Sequence, residues 1–328
     1  MANARVLSGI RSSGALHLGN YLGALRNWQE LQHQYECYYF IADWHALTTD
    51  YADTETLKAS MFDNMAGFLA VGLDPEKCTL FIQSRVPEHA ELHLLLSMIT
   101  PVPWLERVPS YKEQQQQIKD KDLTTYGFLG YPVLQTADIT MYKANYVPVG
   151  IDQVPHIELS RDIARRFNHL YQAVFPEPQP LLTETPKVPG LDGRKMSKSY
   201  NNALYLTDTP EHIDSKIKVM MTDPARQRRS DPGNPEVCPV FDFHKIFSAP
   251  ETIALVDREC RTAGIGCIDC KKMMSTSLLQ DMRPILDKRR ELGERPQEVL
   301  AVFEAGSKKA QQAAQATMAE VRQAMKLV

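Results

Sequence analysis

The sequence predicts an α/β fold in which one domain contains a Rossmann-like parallel sheet and a second domain is mostly helical. Two observations carry this prediction. Short apolar strands alternate with amphipathic helices in the N-terminal part, and after about residue 190 only the helical periodicity continues. Strands that alternate with helices in this way form parallel sheets with right-handed crossovers.

The first five elements have the order β-α-β-α-β. The sequence predicts strands at residues 5–9, 37–42 and 79–83, and helices at residues 19–33 and 54–71. The second helix ends where Gly72 and Pro75 interrupt it. Because parallel sheets bind ligands at the carboxyl ends of their strands, residues 8–20 and 43–49 are predicted to belong to the functional site.

The second half of the chain is predicted to be helical at residues 210–222, 250–262 and 271–292, with a loop at 223–239. Near the end, Ala310, Ala314, Met318, Val321 and Met325 form one apolar helix face, which must pack on another part of the protein. The sequence thus predicts a sheet domain at residues 1–190 and a helical domain at 191–292. The C-terminal helix at 293–328 is predicted to pack back on the first domain.

Composition excludes several classes of protein. Hydrophobic residues make up 43% of the 328 residues and charged residues 23%, as in an ordinary globular protein. The net charge of −3 gives no global basic field for nucleic acid, so any RNA contact must come from a local patch. Since the first residues lack an apolar signal core and no apolar run reaches about 18 residues, we expect a cytoplasmic protein without a membrane segment.

Two loops carry residues suited to binding a polyphosphate. The run Lys195-Met196-Ser197-Lys198-Ser199 presents two ammonium groups and two hydroxyls in a flexible loop. Far upstream, residues 8–20 contain three glycines, followed by a helix whose first amides face the predicted ligand. Together the loops predict a nucleotide that is bound from two sides.

These two segments resemble the signatures of class I aminoacyl-tRNA synthetases. His17-Leu18-Gly19-Asn20 is similar to the first signature, usually His-Ile-Gly-His, and Lys195 to Ser199 match the second, Lys-Met-Ser-Lys-Ser, without change. Asn20 at the fourth position is familiar in the tryptophan and tyrosine branch. The resemblance runs from Arg5 to the C-terminus and is greatest to the bacterial tryptophan-specific enzymes.

The resemblance implies a tryptophan–tRNA ligase. Such an enzyme joins L-tryptophan to AMP with ATP and Mg²⁺ and then transfers it to tRNA(Trp), and the family forms homodimers. The implied catalytic residues are His17, Asn20, Lys195 and Lys198, which would neutralise charge on the phosphates. The implied ATP contacts are Arg11, Ser12, Ser13, His17, Gly19, Asn20, Gly150, Ile151, Asp152, Val188, Lys195, Met196, Ser197, Lys198 and Ser199.

The amino-acid pocket is also implied by resemblance. Asp138 would accept the indole N–H of tryptophan, and Tyr131 and Gln153 would hold the α-ammonium group. A buried carboxylate built for one donor penalises ligands that lack this donor. The remaining implied contacts are Leu7, Ala42, His45 and Gln135, the last of which stands where several relatives carry methionine.

Two other functions remain open from the residues alone. A tyrosine-specific synthetase shares both signatures and an aspartate in the pocket. A catalytically silent paralogue that binds RNA would not need both lysines. Amino-acid-dependent pyrophosphate exchange, measured with tryptophan and with tyrosine, distinguishes all three.

Four cysteines of the second domain predict a metal site. Cys238, Cys260, Cys267 and Cys270 could hold either a [4Fe–4S] cluster or Zn²⁺, and only the last two form a Cys-x-x-Cys pair. Some bacterial tryptophan enzymes carry a [4Fe–4S] cluster on a similarly spaced set, which favours the cluster. Unligated core cysteines and a redox sensor remain alternatives. The basic residues near this site, at 226–229 and 271–272, are candidate tRNA phosphate contacts.

Overall fold

A five-stranded parallel sheet organises the N-terminal part of the chain. The computed structural model describes residues 4–109, 121–182 and 188–327, without the side chain of Ser199. The strands are β1 (Arg5–Arg11), β2 (Glu36–Ala42), β3 (Cys78–Ile82), β4 (Tyr146–Val149) and β5 (Gln179–Leu182). Their spatial order is β3-β2-β1-β4-β5, and every neighbouring pair is parallel.

The strand order creates a switch point beside β1. Strands β2 and β3 lie on one side of β1, and β4 and β5 lie on its other side. The connections that follow β1 and β4 run toward opposite edges of the sheet, and this arrangement forms a crevice at the carboxyl ends of the two strands. The residues that follow β1 and β4 are therefore placed to bind a ligand.

Most of the other regular elements of the described chain are helices. In the first part they are α1 (Leu18–Asn20), α2 (Arg26–Leu31), α3 (Asp43–Asp50), α4 (Leu57–Ala70), α5 (Glu88–Ser97), α6 (Val102–Glu106), α7 (Tyr126–Met141) and α8 (Val154–Leu170). Later come α9 (Pro210–Val219), α10 (Pro239–Phe247), α11 (Pro250–Arg261), α12 (Cys267–Gly293) and α13 (Pro296–Ala324). The predicted α/β class with a parallel sheet and a helical part is confirmed.

Two details differ from the sequence prediction. Helix α12 begins at Cys267 rather than near residue 271, so the Cys-x-x-Cys pair lies in its first turn. A π-helical segment, Tyr21–Leu25, joins α1 to α2 within the predicted first helix. The sequence does not reveal the π-helical segment or the earlier start of α12, because the apolar residues keep the same helical spacing across both places.

The core of the sheet part follows from the buried strands. Six of the seven residues of β2 are buried, and the ring of Tyr39 stacks on Trp28 at 4.6 Å. Helix α13 covers β3: the Ser307 hydroxyl accepts a hydrogen bond from the Ile82 amide at 3.2 Å. A Cβ on the neighbouring Gly306 would overlap the Leu80 carbonyl oxygen, so only glycine allows this close approach.

Backbone contacts divide the chain into two compact units. The first unit comprises Met1–Gly14, Asn27–Glu184 and Pro296–Val328 and contains the sheet. The second comprises Ala15–Arg26 and Thr185–Arg295. Both segments that resemble the synthetase signatures therefore fall in the second unit. No helix in the described ranges is long and apolar enough to cross a membrane.

Candidate active site

The first signature segment is held by a reciprocal cap at the start of α1. The His17 Nδ1 accepts a hydrogen bond from the Asn20 amide at 3.2 Å, and the Asn20 Oδ1 accepts one from the His17 amide at 3.0 Å. Since Nδ1 accepts, the ring proton of neutral His17 lies on Nε2, which can donate to a ligand. The side-chain Nδ2 of Asn20 is not used in this cap, whereas the side-chain Oδ1 is.

His17 is a neutral donor in this structure. Burial, and then the positive charge of Lys198, lower the pKa of His17 to about 4. A Cβ on Gly19 would lie 3.0 Å from the imidazole ring, so glycine leaves room for this ring position. The arrangement presents an uncharged N–H donor beside a lysine, which suits a phosphate oxygen.

The second signature segment forms a tight turn anchored by one apolar side chain. Met196 is only 4% exposed, whereas Lys195 is exposed and Lys198 is half-buried. The Met196 amide donates to the Val188 carbonyl at 3.3 Å, and Gly193 adopts a positive φ of 80° at the tip. The buried methionine thus fixes the loop, and the lysines on either side are left near the surface.

Asn202 organises this loop and was missed by the sequence analysis. It is 2% exposed, and its Oδ1 accepts from the Ser197 amide at 2.8 Å. Its Nδ2 donates to the Asp192 carboxylate at 2.7 Å and to the Lys195 carbonyl at 3.2 Å. A Cβ on Gly190 would overlap the amide group of Asn202. One buried amide therefore fixes the backbone on both sides of Met196.

The two signature segments lie next to each other in the second unit. The Leu18 amide donates to the Leu204 carbonyl at 2.8 Å, and the Leu206 amide donates to the Leu16 carbonyl at 2.9 Å. These bonds fix the backbone of the first segment to the strand-like stretch that follows the second. The structure thus brings His17, Asn20, Lys195 and Lys198 into one region.

In the first unit, polar groups follow the carboxyl end of β1. Arg11 donates from Nη2 to the Thr49 hydroxyl at 2.5 Å, and burial lowers the pKa of its guanidinium. The Arg11 Nε and the Ser12 Oγ are buried and make no hydrogen bond to any other residue that the structure describes. Buried polar atoms are rarely left unpaired, so these two are suited to binding a polar ligand.

The turn after β4 holds the predicted ribose contacts. A Cβ on Gly150 would lie 2.7 Å from the Asp152 Oδ1, so the carboxylate folds back over this glycine. The Gln153 Nε2 donates to the Asp152 Oδ2 at 3.0 Å, and Ile151 is 75% exposed. In this structure the amide of Gln153 is engaged by Asp152. The side chain of Ser199, also predicted to contact ATP, lies outside the described residues.

Asp138 is the centre of a buried hydrogen-bond network in the first unit. Its carboxylate accepts from the His45 Nε2 at 2.8 Å, from the His89 Nδ1 at 2.6 Å and from the Gln83 Nε2 at 2.8 Å. Complete burial would raise the pKa of Asp138, but the hydrogen bonds from His45 and His89 outweigh it and lower the pKa to about 2. Asp138 is therefore an ionised acceptor at any working pH.

The other predicted pocket residues are divided between core and surface. Leu7 and Ala42, on the two neighbouring strands β1 and β2, are 2% and 4% exposed. Tyr131 and Gln135 are half-buried on α7, and the Tyr131 hydroxyl lies 3.5 Å from the His156 Nε2. His45 and Asp138 are in direct contact through a 2.8 Å hydrogen bond. Gln83 and His89 carried no sequence signal, because nothing local distinguishes them from ordinary polar residues.

The four cysteines of the second unit influence one another. Burial raises the pKa of Cys270 to about 12, and the charges of Cys238, Cys260 and Cys267 add to this effect. Four thiols are a suitable donor set for iron or zinc. However, within residues 4–109, 121–182 and 188–327 no group of three or more His, Cys, Asp or Glu side chains is arranged to hold a metal ion. The predicted metal centre is therefore not confirmed.

The basic residues beside the cysteines have a local role. The Arg226 Nη2 donates to the carbonyls of Arg229 and Ile265 at 2.9 and 2.8 Å. The Arg229 guanidinium donates to the carbonyls of Ala263 and Gly264 at 2.6 and 3.0 Å. These two arginines hold the turn between α11 and α12, where the sequence analysis expected phosphate contacts.

Comparisons with known proteins agree with the two signatures. Residues 1–280 match the family described as tRNA synthetases class I (W and Y). The chain is 55% identical to the tryptophan–tRNA ligase of Thermotoga maritima over 326 residues, which cover 99% of each protein. It is 44% identical to that of Aquifex aeolicus, covering 98% of this chain and 100% of the relative.

A solved structure is also similar along the whole chain. It is the tryptophanyl-tRNA synthetase of Campylobacter jejuni complexed with ADP and tryptophan, with a TM-score of 0.89 and 33% identity. It covers 98% of this chain and 99% of its own. A tyrosyl-tRNA synthetase of Archaeoglobus fulgidus, at 21% identity and a TM-score of 0.65, shares the fold.

We expect His17 to stay neutral until the pH falls to about 4, below its ordinary value of 6.5, because burial and Lys198 both oppose the second proton. Its lowered pKa penalises folding progressively as the pH falls from about 6.5 to about 4. Two-dimensional ¹H–¹⁵N spectra should show the Nε2–H tautomer between pH 5 and 8. In Lys198→Met the pKa should rise but remain below 6.5, since burial is the larger cause. A wild-type midpoint near 6.5 would contradict the assignment.

Proposed function

The chain belongs to the class I tRNA synthetases for tryptophan and tyrosine, and we propose that it is an active tryptophan–tRNA ligase. It activates L-tryptophan with ATP to tryptophanyl-adenylate and transfers the amino acid to tRNA(Trp). The observation that carries this proposal is the contact between the two signature segments within the second unit. The buried, ionised carboxylate of Asp138 in the first unit supports it separately. A silent paralogue would have no use for either.

Asp138 is the proposed acceptor of the indole N–H. An ionised carboxylate has about four lone-pair directions. His45 donates to Oδ2 and His89 to Oδ1, and the Gln83 Nε2 lies within hydrogen-bond distance of both oxygens. A donor on the substrate would take the place of one of the two Gln83 contacts. A ring without this donor would leave a buried charge incompletely paired, and the site would reject it.

The lysine loop is the proposed source of charge stabilisation in the activation step. The carboxylate of tryptophan attacks the α-phosphate of ATP, and negative charge builds up on the departing pyrophosphate. Lys195 and Lys198 neutralise this charge, and the neutral His17 and the side-chain Nδ2 of Asn20 donate hydrogen bonds to phosphate oxygens. Mg²⁺ would supply further positive charge in this step. No side chain acts as a nucleophile.

The adenosine contacts are proposed from the turn after β4 and from the end of β1. Asp152 would accept from the ribose hydroxyls, with Gly150 and Ile151 beside the base, and the buried Arg11 and Ser12 polar atoms would receive partners. Pyrophosphate exchange tests the activation step, since it needs ATP, the amino acid and a working site. A tyrosine-specific enzyme would show exchange with tyrosine and none with tryptophan.

Lys198→Ala should lower kcat of tryptophan-dependent pyrophosphate exchange about 10²–10³-fold, because one preorganised positive charge is lost where negative charge develops. The KM for tryptophan should change little, since Asp138 and its partners lie in the other unit. The control is Lys218→Ala: the Lys218 ammonium pairs with Asp214 at 2.7 Å on an exposed face, so its loss should leave exchange unchanged. An unchanged exchange rate in Lys198→Ala would remove this lysine from the mechanism.

We also propose that Cys238, Cys260, Cys267 and Cys270 bind a [4Fe–4S] cluster, with Zn²⁺ as the alternative. Burial raises the pKa of Cys238, Cys260 and Cys270, neighbouring cysteines of the set add to this rise, and Arg226 opposes it at Cys260 and Cys270. A bound metal would take the thiolates as ligands and release their protons. Its role would be structural, tying the start of α12 to the chain before α10.

Anaerobically purified protein should contain about four irons per chain and show the broad absorption of an iron–sulfur cluster near the violet. Cys267→Ser should lose iron, while Cys78→Ser should keep it, because Cys78 is a buried core residue on β3. A colourless protein with one zinc per chain would favour the alternative. Protein with neither metal would refute the site.

The remaining partners follow from the family. We propose that residues 1–190 act as the catalytic domain and 191–292 as the tRNA-contacting domain, with residues 293–328 completing the first. The exposed Arg228 and Lys272 are the candidate phosphate contacts, since Arg226 and Arg229 are engaged by carbonyls. An enzyme that charges tRNA would work in the cytoplasm.

We propose a homodimer formed through the exposed apolar residues Leu94, Met98 and Val102, which are 54%, 69% and 52% exposed. Such residues favour an isologous interface. Light scattering should give a molar mass of twice 37.2 kDa. Met98→Lys should shift the mass toward a single chain, while Met221→Lys, an exposed methionine of the other unit, should not. A wild-type mass of one chain would contradict the dimer.

A further inference from the structure

Behind Asp138 lies a buried chain of polar side chains that substrate binding does not explain. The His89 Nδ1 lies 2.6 Å from the Asp138 Oδ1, and the His89 Nε2 lies 2.7 Å from the Tyr142 hydroxyl. His89 and Tyr142 are both 0% exposed, and Asp138 is 1% exposed. An imidazole and a phenol have thus been taken completely out of water next to the Asp138 carboxylate.

The hydrogen bonds of this chain fix which nitrogen of His89 carries the proton. The Nδ1 faces a carboxylate, which only accepts, so Nδ1 must carry a proton. In the neutral ring Nε2 must then accept, and the Tyr142 O–H supplies the donor. Burial raises the pKa of Tyr142 well above its ordinary value, and Asp138 adds to the effect, so the phenol keeps its proton. Asp138 and Tyr142 thereby favour the same tautomer of His89.

Packing fixes the positions of the same groups. Tyr142 stacks on Tyr38 at 4.6 Å, and its ring meets the edge of Phe81 at 5.2 Å. The ring of His89 lies 6.0 Å from that of Phe81. Asp138 lies in the last turn of α7, and Tyr142 follows directly after the end of this helix, one turn further along. His89 belongs to α5. The hydrogen bonds between Asp138, His89 and Tyr142 therefore hold α5 and α7 in one fixed register next to the Asp138 carboxylate.

We propose that His89 and Tyr142 are positioning residues for amino-acid selection: Tyr142 orients His89, and His89 fixes Asp138 with one oxygen aimed at the side-chain N–H of the substrate. This inference rests on the proposed role of Asp138 as the acceptor of that N–H. A partner behind a ligand group commonly has such a role, because it sets the tautomer and direction of the group that makes contact.

Removal of the Tyr142 hydroxyl should impair recognition of the substrate ring N–H and leave the rest of the reaction intact. His45 and Gln83 also donate to Asp138, so the carboxylate stays ionised when the hydroxyl of Tyr142 is removed. Only the direction and rigidity of the Oδ1 side are lost. The binding of the ring N–H should weaken, while the contacts of the rest of the substrate, and the phosphate chemistry in the other unit, are kept.

The test compares tryptophan with its isostere in which sulfur replaces the ring N–H, β-(3-benzothienyl)alanine. The measured quantity is the ratio of kcat/KM for the two substrates in pyrophosphate exchange. In Tyr142→Phe the ratio should fall about tenfold, through a higher KM for tryptophan at nearly constant kcat. The matched control is Tyr38→Phe, which removes a hydroxyl from the same aromatic stack; this hydroxyl bonds Glu36 at 2.9 Å, so the ratio should be kept.

Two further variants make every outcome decisive. Asp138→Asn should reduce the ratio roughly a hundredfold or more, because the acceptor charge itself is lost. His89→Asn places an amide donor where Nδ1 stood, so it should keep more of the ratio than His89→Ala, and this comparison decides if Tyr142→Phe does not fold. A ratio lost in Asp138→Asn but kept in Tyr142→Phe would overturn the positioning role and leave Asp138 in place. A ratio kept in Asp138→Asn would overturn both.

Discussion

The burial of one ionised carboxylate is the constraint on which the sheet unit depends. A charge removed from water must be hydrogen-bonded, or it costs several kcal/mol, so Asp138 on α7 needs donors that the surrounding elements supply. His45 comes from α3, directly after β2, Gln83 from the turn after β3, and His89 from α5. The sheet order and the packing of three helices must all be right before the charge is paired. The pocket and the core are therefore one structure.

In the second unit, by contrast, the charged groups of the lysine loop stay close to water. The loop around Lys195 and Lys198 is fixed through Met196, which is buried, and through Asn202, which binds the backbone. The ammonium groups themselves need not be buried for the loop to be ordered. Long flexible cations can then reach a polyphosphate without a prior desolvation cost, whereas a buried lysine would tend to lose its proton.

Much of the sheet and the two signature loops could be predicted from the sequence, and their organising residues could not. The apolar runs of β2 and β3 are local patterns, as are the lysine loop and the helix that follows His17. His89 reaches Asp138 across 49 positions and Gln83 across 55, so their partners exist only in the fold. Arg226 and Arg229 show the converse limit: a run of charge resembles a phosphate contact, but folding turned both guanidinium groups toward carbonyl oxygens.

The separation of the two units has a consequence for how the enzyme can vary. The groups that surround Asp138 lie in the first unit, and the groups that hold the lysine loop lie in the second. Among the hydrogen bonds made by the described residues, those of Asp138 and those of Asn202 have no member in common. Amino-acid choice can therefore change through the partners of Asp138, while the phosphate chemistry, which any amino acid requires, stays intact.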